Sequence, residues 1–167
     1  LLSPVASQAQ VEVAWNAPAN NGDAISGYEL RVKQGSSVVK TVPVAAGQTT
    51  QAVVVDTSTT NYTFDVRAKN KAGWGEYSPA SAPRRGVTAP GAPTGVAASE
   101  GDNRVGVTWT AGAANGAAAG EIRYEYSVNG GGWRNDWVSG GTNGSGTIGN
   151  GQVNNNGSYT IRVRAVS

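Results

Sequence analysis

The chain has 167 residues, a length open to one large domain or two small ones. Its hydrophobic content of 38% supplies enough Val, Ala, Tyr and Trp for real cores and excludes wholesale disorder. The 13 Lys and Arg against 11 Asp and Glu lie scattered, with Arg84-Arg85 the single adjacent basic pair, which argues against nucleic-acid binding.

In chain order, Leu1-Leu2-Ser3-Pro4 has neither the basic nor the apolar region of a signal peptide, so the segment reads as beginning inside a longer chain. Val11-Glu12-Val13-Ala14-Trp15 then alternates with period two, which puts Val11, Val13 and Trp15 on one face of a strand. The pattern returns 94 positions later as Val105-Gly106-Val107-Thr108-Trp109. Two further runs repeat in the same order. Tyr28-Glu29 matches Tyr124-Glu125, and Tyr62-Thr63-Phe64-Asp65-Val66-Arg67-Ala68 matches Tyr159-Thr160-Ile161-Arg162-Val163-Arg164-Ala165. Three collinear matches define two copies of one multi-strand unit. With 24 Gly and frequent Asn, Thr and Ser breaking the apolar residues into short runs, the fold class is all-β. The boundary falls near Thr88, in the Pro- and Gly-punctuated stretch from Pro83 to Pro93, giving domains over 1–88 and 89–167. Prolines in that stretch stiffen it, so an end-to-end arrangement is expected.

A strand-B Trp, a strand-C Gly27-Tyr28, then Tyr62-Thr63-Phe64-Asp65-Val66-Arg67-Ala68 followed by Asn70-Lys71-Ala72-Gly73-Trp74-Gly75-Glu76-Tyr77-Ser78, resembles the fibronectin type III family. The resemblance implies two consecutive antiparallel β-sandwiches of the immunoglobulin-like kind, without disulfides. It also implies structural roles for Trp15, Tyr28, Tyr62, Trp109, Tyr124 and Tyr159. Among these, Tyr62 and Tyr159 would be tyrosine corners whose hydroxyls return to nearby backbone. Ala80 to Val87 is the strand-G candidate of the first copy; the second copy stops at Ser167 without one, so its last strand is expected to be missing. Strand A of the first copy is expected to be short, starting near Val5.

No His and no Cys are present, which removes Ser-His and Cys-His nucleophile pairs, the usual zinc sites and all thiol chemistry. Alternation sets Glu29, Asp65 and Glu125 opposite the apolar residues, where they are expected to face water beside Arg31, Arg67, Arg162 and Arg164 as an exposed charge ladder. Gly144-Ser145-Gly146-Thr147-Ile148-Gly149 satisfies the G-x-G-x-x-G expression. No helical period follows it, so it reads as Gly-rich strand and loop. Asn20-Asn21-Gly22-Asp23 offers oxygen ligands but lacks the carboxylates of a calcium loop. Asn-Gly pairs begin at Asn21, Asn115, Asn129, Asn143, Asn150 and Asn156 and mark turns. Asn61, Asn143 and Asn156 also open glycosylation sequons, which matter only in a eukaryotic secretory route.

The partner-binding candidates are Trp74, Trp133 and Trp137. Tyr124 to Val128 and Trp133 to Trp137 would pair as strands C and C′ around Asn129-Gly130. A four-residue spacing there puts Trp133 and Trp137 on one face, where an exposed pair could stack on a sugar or a partner, or else cover the sandwich edge beside Tyr126. Trp74 sits in the F–G loop, a site for partner contacts or for packing against the neighbouring domain. The expected function is a non-catalytic tandem spacer or scaffold module of a larger secreted, surface or phage-particle protein of bacterial or phage origin. It carries no cofactor and no metal, does not insert in a membrane and has the parent chain's other domains as partners. Protein or polysaccharide recognition, or an accessory role beside a carbohydrate-active enzyme, is the alternative.

Overall fold

The computed structural model describes residues 7–149 and 151–167; the strand start expected at Val5 and the Asn150 turn lie outside them. The described residues contain twelve β-strands and no helix. They fall into two compact units divided between Thr88 and Ala89.

The first unit holds β1 (Gln8–Ala14), β2 (Gly27–Gln34), β3 (Ser37–Ala45), β4 (Thr50–Asp56), β5 (Thr63–Asn70) and β6 (Gly73–Trp74). One antiparallel sheet pairs β1 with β4; the other runs in the order β3-β2-β5-β6. The period of two is visible in β2, where Tyr28, Leu30 and Val32 are buried between the half-buried Gly27, Glu29, Arg31 and Lys33. Register brings Leu30 opposite Val66 on β5 and Val42 on β3, and Val53 and Val55 from β4 face them across the sandwich. Each such side chain contributes about 1.5–3 kcal/mol by leaving water. Trp15, just past β1, meets Tyr28 edge-on with ring centroids 5.4 Å apart. The buried Tyr62 donates its hydroxyl to the Asp56 carbonyl at 3.0 Å, tying the entry of β5 to the exit of β4.

The expected strand over Ala80 to Val87 does not form as one. Past β6 the backbone instead steps along β5 from Gly75 to Arg84, its N–H groups donating to carbonyls as Gly75 to Ala68, Ser78 to Val66, Ser81 to Phe64 and Arg84 to Tyr62. Three residues are spent for every two of β5, so no regular ladder can develop. Pro79 and Pro83, which have no N–H, fall between the bonded positions. The hydroxyls of Ser78 and Ser81 complete the edge by accepting from the N–H groups of Val66 and Phe64, each at 3.1 Å.

The second unit holds β7 (Thr94–Gly101), β8 (Arg104–Thr110), β9 (Arg123–Val128), β10 (Ser139–Thr142), β11 (Ser145–Ile148) and β12 (Ile161–Val166). Its sheets are β10-β11-β8-β7 and β9-β12. The pairings of β8 with β11 and β9 with β12 repeat those of β1 with β4 and β2 with β5. Val107, Trp109, Tyr124, Tyr126, Ile148 and Val153 form its core. Trp109 lies 5.0 Å from Tyr124, the counterpart of the Trp15–Tyr28 contact. Tyr159 also returns its hydroxyl to backbone, accepting from the Asn154 N–H at 2.9 Å. No described strand flanks β12 on the side away from β9. The G-x-G-x-x-G stretch is a hairpin tip followed by β11.

Candidate functional site

On the outward face of the β3-β2-β5-β6 sheet, Glu29, Arg31 and Lys33 of β2 lie beside Asp65, Arg67 and Lys69 of β5. Two aromatic rings from the segment after β5 lie across them. The Arg31 guanidinium sits 3.3 Å from the Tyr77 ring centre and Arg67 sits 4.7 Å from it. Arg67 also lies 4.6 Å from the Trp74 ring, with the Lys69 ammonium 5.4 Å away. The result is a run of cations and rings in the order Arg31, Tyr77, Arg67, Trp74, Lys69. Such contacts contribute about 0.5–1 kcal/mol each where solvent reaches them.

Carboxylates anchor the run. Asp65 accepts both Arg31 Nε at 2.8 Å and Nη2 at 2.7 Å, and Lys33 at 3.2 Å. Glu29 accepts from Arg67 Nε at 2.9 Å and takes a short hydrogen bond from the Tyr77 hydroxyl. The bond from Tyr77, then Arg67, holds the Glu29 carboxyl below the ordinary range; burial, then the bond to Glu29, pushes the Tyr77 hydroxyl up. The expectation that Glu29, Asp65 and Glu125 all face water needs correction for Asp65, whose side chain is 4% exposed. Strand alternation gives the direction of a side chain, but Asp65 is covered by the long stems of Arg31 and Lys33.

Trp74 keeps 42% of its surface exposed at the end of this run. An open cleft lies beside it, lined by Pro18, Asn20, Ile25, Asn70 and Gly73. Two side chains of the Asn20–Asp23 loop are engaged by protein: Asn20 accepts from Gly22 N–H, and Asp23 accepts from Lys71 N–H at 2.7 Å. Among the described residues no group of three or more acidic side chains is gathered closely enough to hold a metal ion.

In the second unit Trp133 and Trp137 part company. Residues 133–137 form no strand; Arg134 alone bridges Tyr126. Gly130, Gly131 and Gly132 lengthen the turn, and an Arg134–Asp136–Tyr126 cluster follows it. In it Tyr126 donates its hydroxyl to Asp136 at 2.7 Å, and Arg134 binds both Asp136 oxygens. Arg134, then Tyr126, holds the Asp136 carboxyl down to about 2. The period-two argument fails because a single bridge at Arg134, and no regular strand, leaves the faces of those residues unfixed. Trp137 turns into the core, 5.4 Å from Trp109 and 4.6 Å from Tyr126, and its indole N–H donates to the Tyr124 carbonyl at 2.9 Å. Trp133 stays outside, 37% exposed, with Arg164 4.6 Å and Arg162 5.8 Å from its ring. Arg164 also pairs with Glu125 at 2.6 Å. Trp133 and Trp137 therefore do not form an exposed pair on which a sugar could stack.

The seat of Trp137 is made by glycines: a Cβ added at Gly141 or Gly146 would overlap the indole ring. Gly146 has ordinary backbone, so only this space forbids a side chain there. Gly146→Ala should therefore displace Trp137, costing the second unit about 1–3 kcal/mol. Red-shifted tryptophan emission together with a lower urea midpoint would report it.

These features define a pair of β-sandwich modules with ring-and-cation decoration on their outer faces and no assembled catalytic group among the described residues. Residues 2–84 match the family model of the fibronectin type III domain. The chain belongs to the fibronectin type III family. Among solved structures it is similar to the chicken CNTN1 FN1–FN3 domains at 19% identity, covering 98% of this chain and 58% of that one, with a TM-score of 0.46. It is also similar to a two-domain fibronectin type III segment of chicken tenascin at 18% identity, covering 98% and 80%, with a TM-score of 0.47. No curated protein matches it. No described helix is long and apolar enough to cross a membrane.

Proposed function

We propose that the chain is a non-catalytic spacer and scaffold module of a larger extracellular or surface protein. The observation that carries this reading is the self-saturation of the outer face of the first unit. Trp74 and Tyr77, the aromatic groups best placed to meet a partner, already stack with Arg67, Lys69 and Arg31, and the carboxylates beneath them are ion-paired. A face whose rings and charges bind one another stiffens its own sheet and has little left to offer. The absence of His and Cys from the sequence supports the same reading, since the commonest nucleophile and base pairs cannot be built.

A recognition module is the second reading, favoured by one observation: among the described residues Lys69 has no carboxylate partner, and it stands at the exposed edge of Trp74 beside an open cleft. Stacking on a sugar ring with a nearby cation is chemistry available there. The two readings separate on titrating the chain with soluble neutral and uronate-bearing polysaccharides while following tryptophan fluorescence. The spacer reading expects no saturable change. A saturable quench that vanishes in Trp74→Ala would replace it with recognition.

A further inference from the structure

The Asn-Gly pairs have turn-forming roles, but their chemistry is not equivalent. In such a pair the glycine amide nitrogen can attack the asparagine Cγ. An N–Cγ bond forms, the Cγ–Nδ2 bond breaks, and Nδ2 leaves with protons as ammonia. Water then opens the succinimide at either carbonyl to give aspartate or isoaspartate. The step needs a carboxamide free to rotate and a glycine N–H free of other duties. A bond that holds either one must break first.

Five Asn-Gly pairs lie wholly within the described residues, and four are held. Asn129 Oδ1 accepts from the Thr160 N–H at 2.8 Å, and Asn115 Nδ2 donates to the Ala89 carbonyl at 2.8 Å. At Asn21 and Asn156 the following glycine is engaged: Gly22 donates to Asn20 Oδ1 at 3.1 Å, and Gly157 to the Asn154 carbonyl at 3.3 Å. Asn143 differs from all four. It is exposed, its carboxamide has no partner, and the Gly144 N–H has none among the described residues. The pair forms the two-residue tip between β10 and β11, both residues at positive φ (49° and 87°). The strands it joins are four residues each and β10 is a sheet edge with an irregular register, so local opening at the tip is easy.

We infer that, among the five described Asn-Gly pairs, Asn143 is the preferred site of spontaneous deamidation in the folded protein, an ageing modification at the β10–β11 hairpin. The product adds a negative charge. As isoaspartate it also adds a backbone atom to a two-residue turn that has no room for one.

The test is to incubate the folded protein at mildly alkaline pH and follow each Asn-Gly peptide by mass spectrometry with isoaspartate detection. Asn143 should convert ahead of Asn21, Asn115, Asn129 and Asn156 by about five- to tenfold, the factor one retained hydrogen bond supplies. In denaturant the five rates should converge, because glycine follows each. A folded protein in which any of the other four converts first, or in which the five rates are as close as in denaturant, overturns the inference. Asn143→Gly keeps the positive-φ turn and removes the carboxamide, so it should also abolish the loss of melting temperature that ageing brings to the wild type. An aged variant that loses as much would place the damage elsewhere.

Discussion

Replacing Trp109 by alanine should destabilise the second unit by about 3–5 kcal/mol, close to the whole stability of a small domain. Trp109 is 6% exposed and joins the two sheets by touching Tyr124 from β9 and Trp137 from the segment before β10. Its loss would open a cavity shared by three rings. None of that cost is a lost hydrogen bond, because the indole N–H of Trp109 is buried without a partner among the described residues, as is that of Trp15. Burying an unpaired donor itself costs about 1–3 kcal/mol. Trp109→Phe, which removes the orphaned N–H along with part of the ring, should therefore cost less than half as much as alanine. Since Trp109 belongs to its own core cluster, the first unit should keep its unfolding midpoint in both variants. Urea unfolding followed by near-UV circular dichroism would show this as one moved transition and one fixed. Equal costs for alanine and phenylalanine would mean that the cavity is not the dominant loss.

The parts of this fold legible in the sequence are those where one residue type has one structural use. Period-two alternation places Tyr28, Leu30 and Val32 inside, and the repeated Tyr-x-(Phe/Ile)-x-Val pattern places Tyr62 and Tyr159 where their hydroxyls reach backbone. The residues less legible are those whose fate depends on a neighbour distant in sequence. Asp65 reads as a surface charge until Arg31 and Lys33, over thirty positions away, lie across it. Trp137 reads as the strand-mate of Trp133 until Gly141 and Gly146 open a seat for it in the core. The edge along β5 reads as a strand because serine hydroxyls standing in for backbone acceptors leave no periodic signal. The Gly140-Gly141 pair and Gly146 on the facing strand, in a hairpin with little else to pack, were a cue that a large ring lies over them.

Asp65 is the residue through which pH should act on the first unit. Its carboxyl is held below the ordinary range by the paired hydrogen bonds of Arg31 and then by Lys33, against a burial that works the other way. A depressed carboxylate stabilises the fold fully above its unfolded value near pH 4, and that contribution is lost as pH falls through the lower folded value. The first unit should thus weaken below about pH 4, with Glu29 adding a loss of the same sign. Asp65→Asn should cost about 2–3 kcal/mol at neutral pH. That is less than the roughly 3–5 kcal/mol of breaking a fully buried pair, because Arg31 and Lys33 keep 26% and 22% of their side-chain surface and water can reclaim them. At pH 2, below the unfolded value near 4, the gap between wild type and variant should narrow, since folding with an ionised Asp65 then has to release a proton. The second unit has Arg162 at the repeat-equivalent position, so the substitution should leave its transition untouched at every pH. Its own acid sensitivity should run through Asp136, whose contribution is lost between about pH 4 and its folded value of about 2. Urea midpoints of both units at pH 7 and pH 2 decide the matter: a gap between wild type and Asp65→Asn that persists undiminished at pH 2 would mean that shape, and not charge, is what Asp65 supplies.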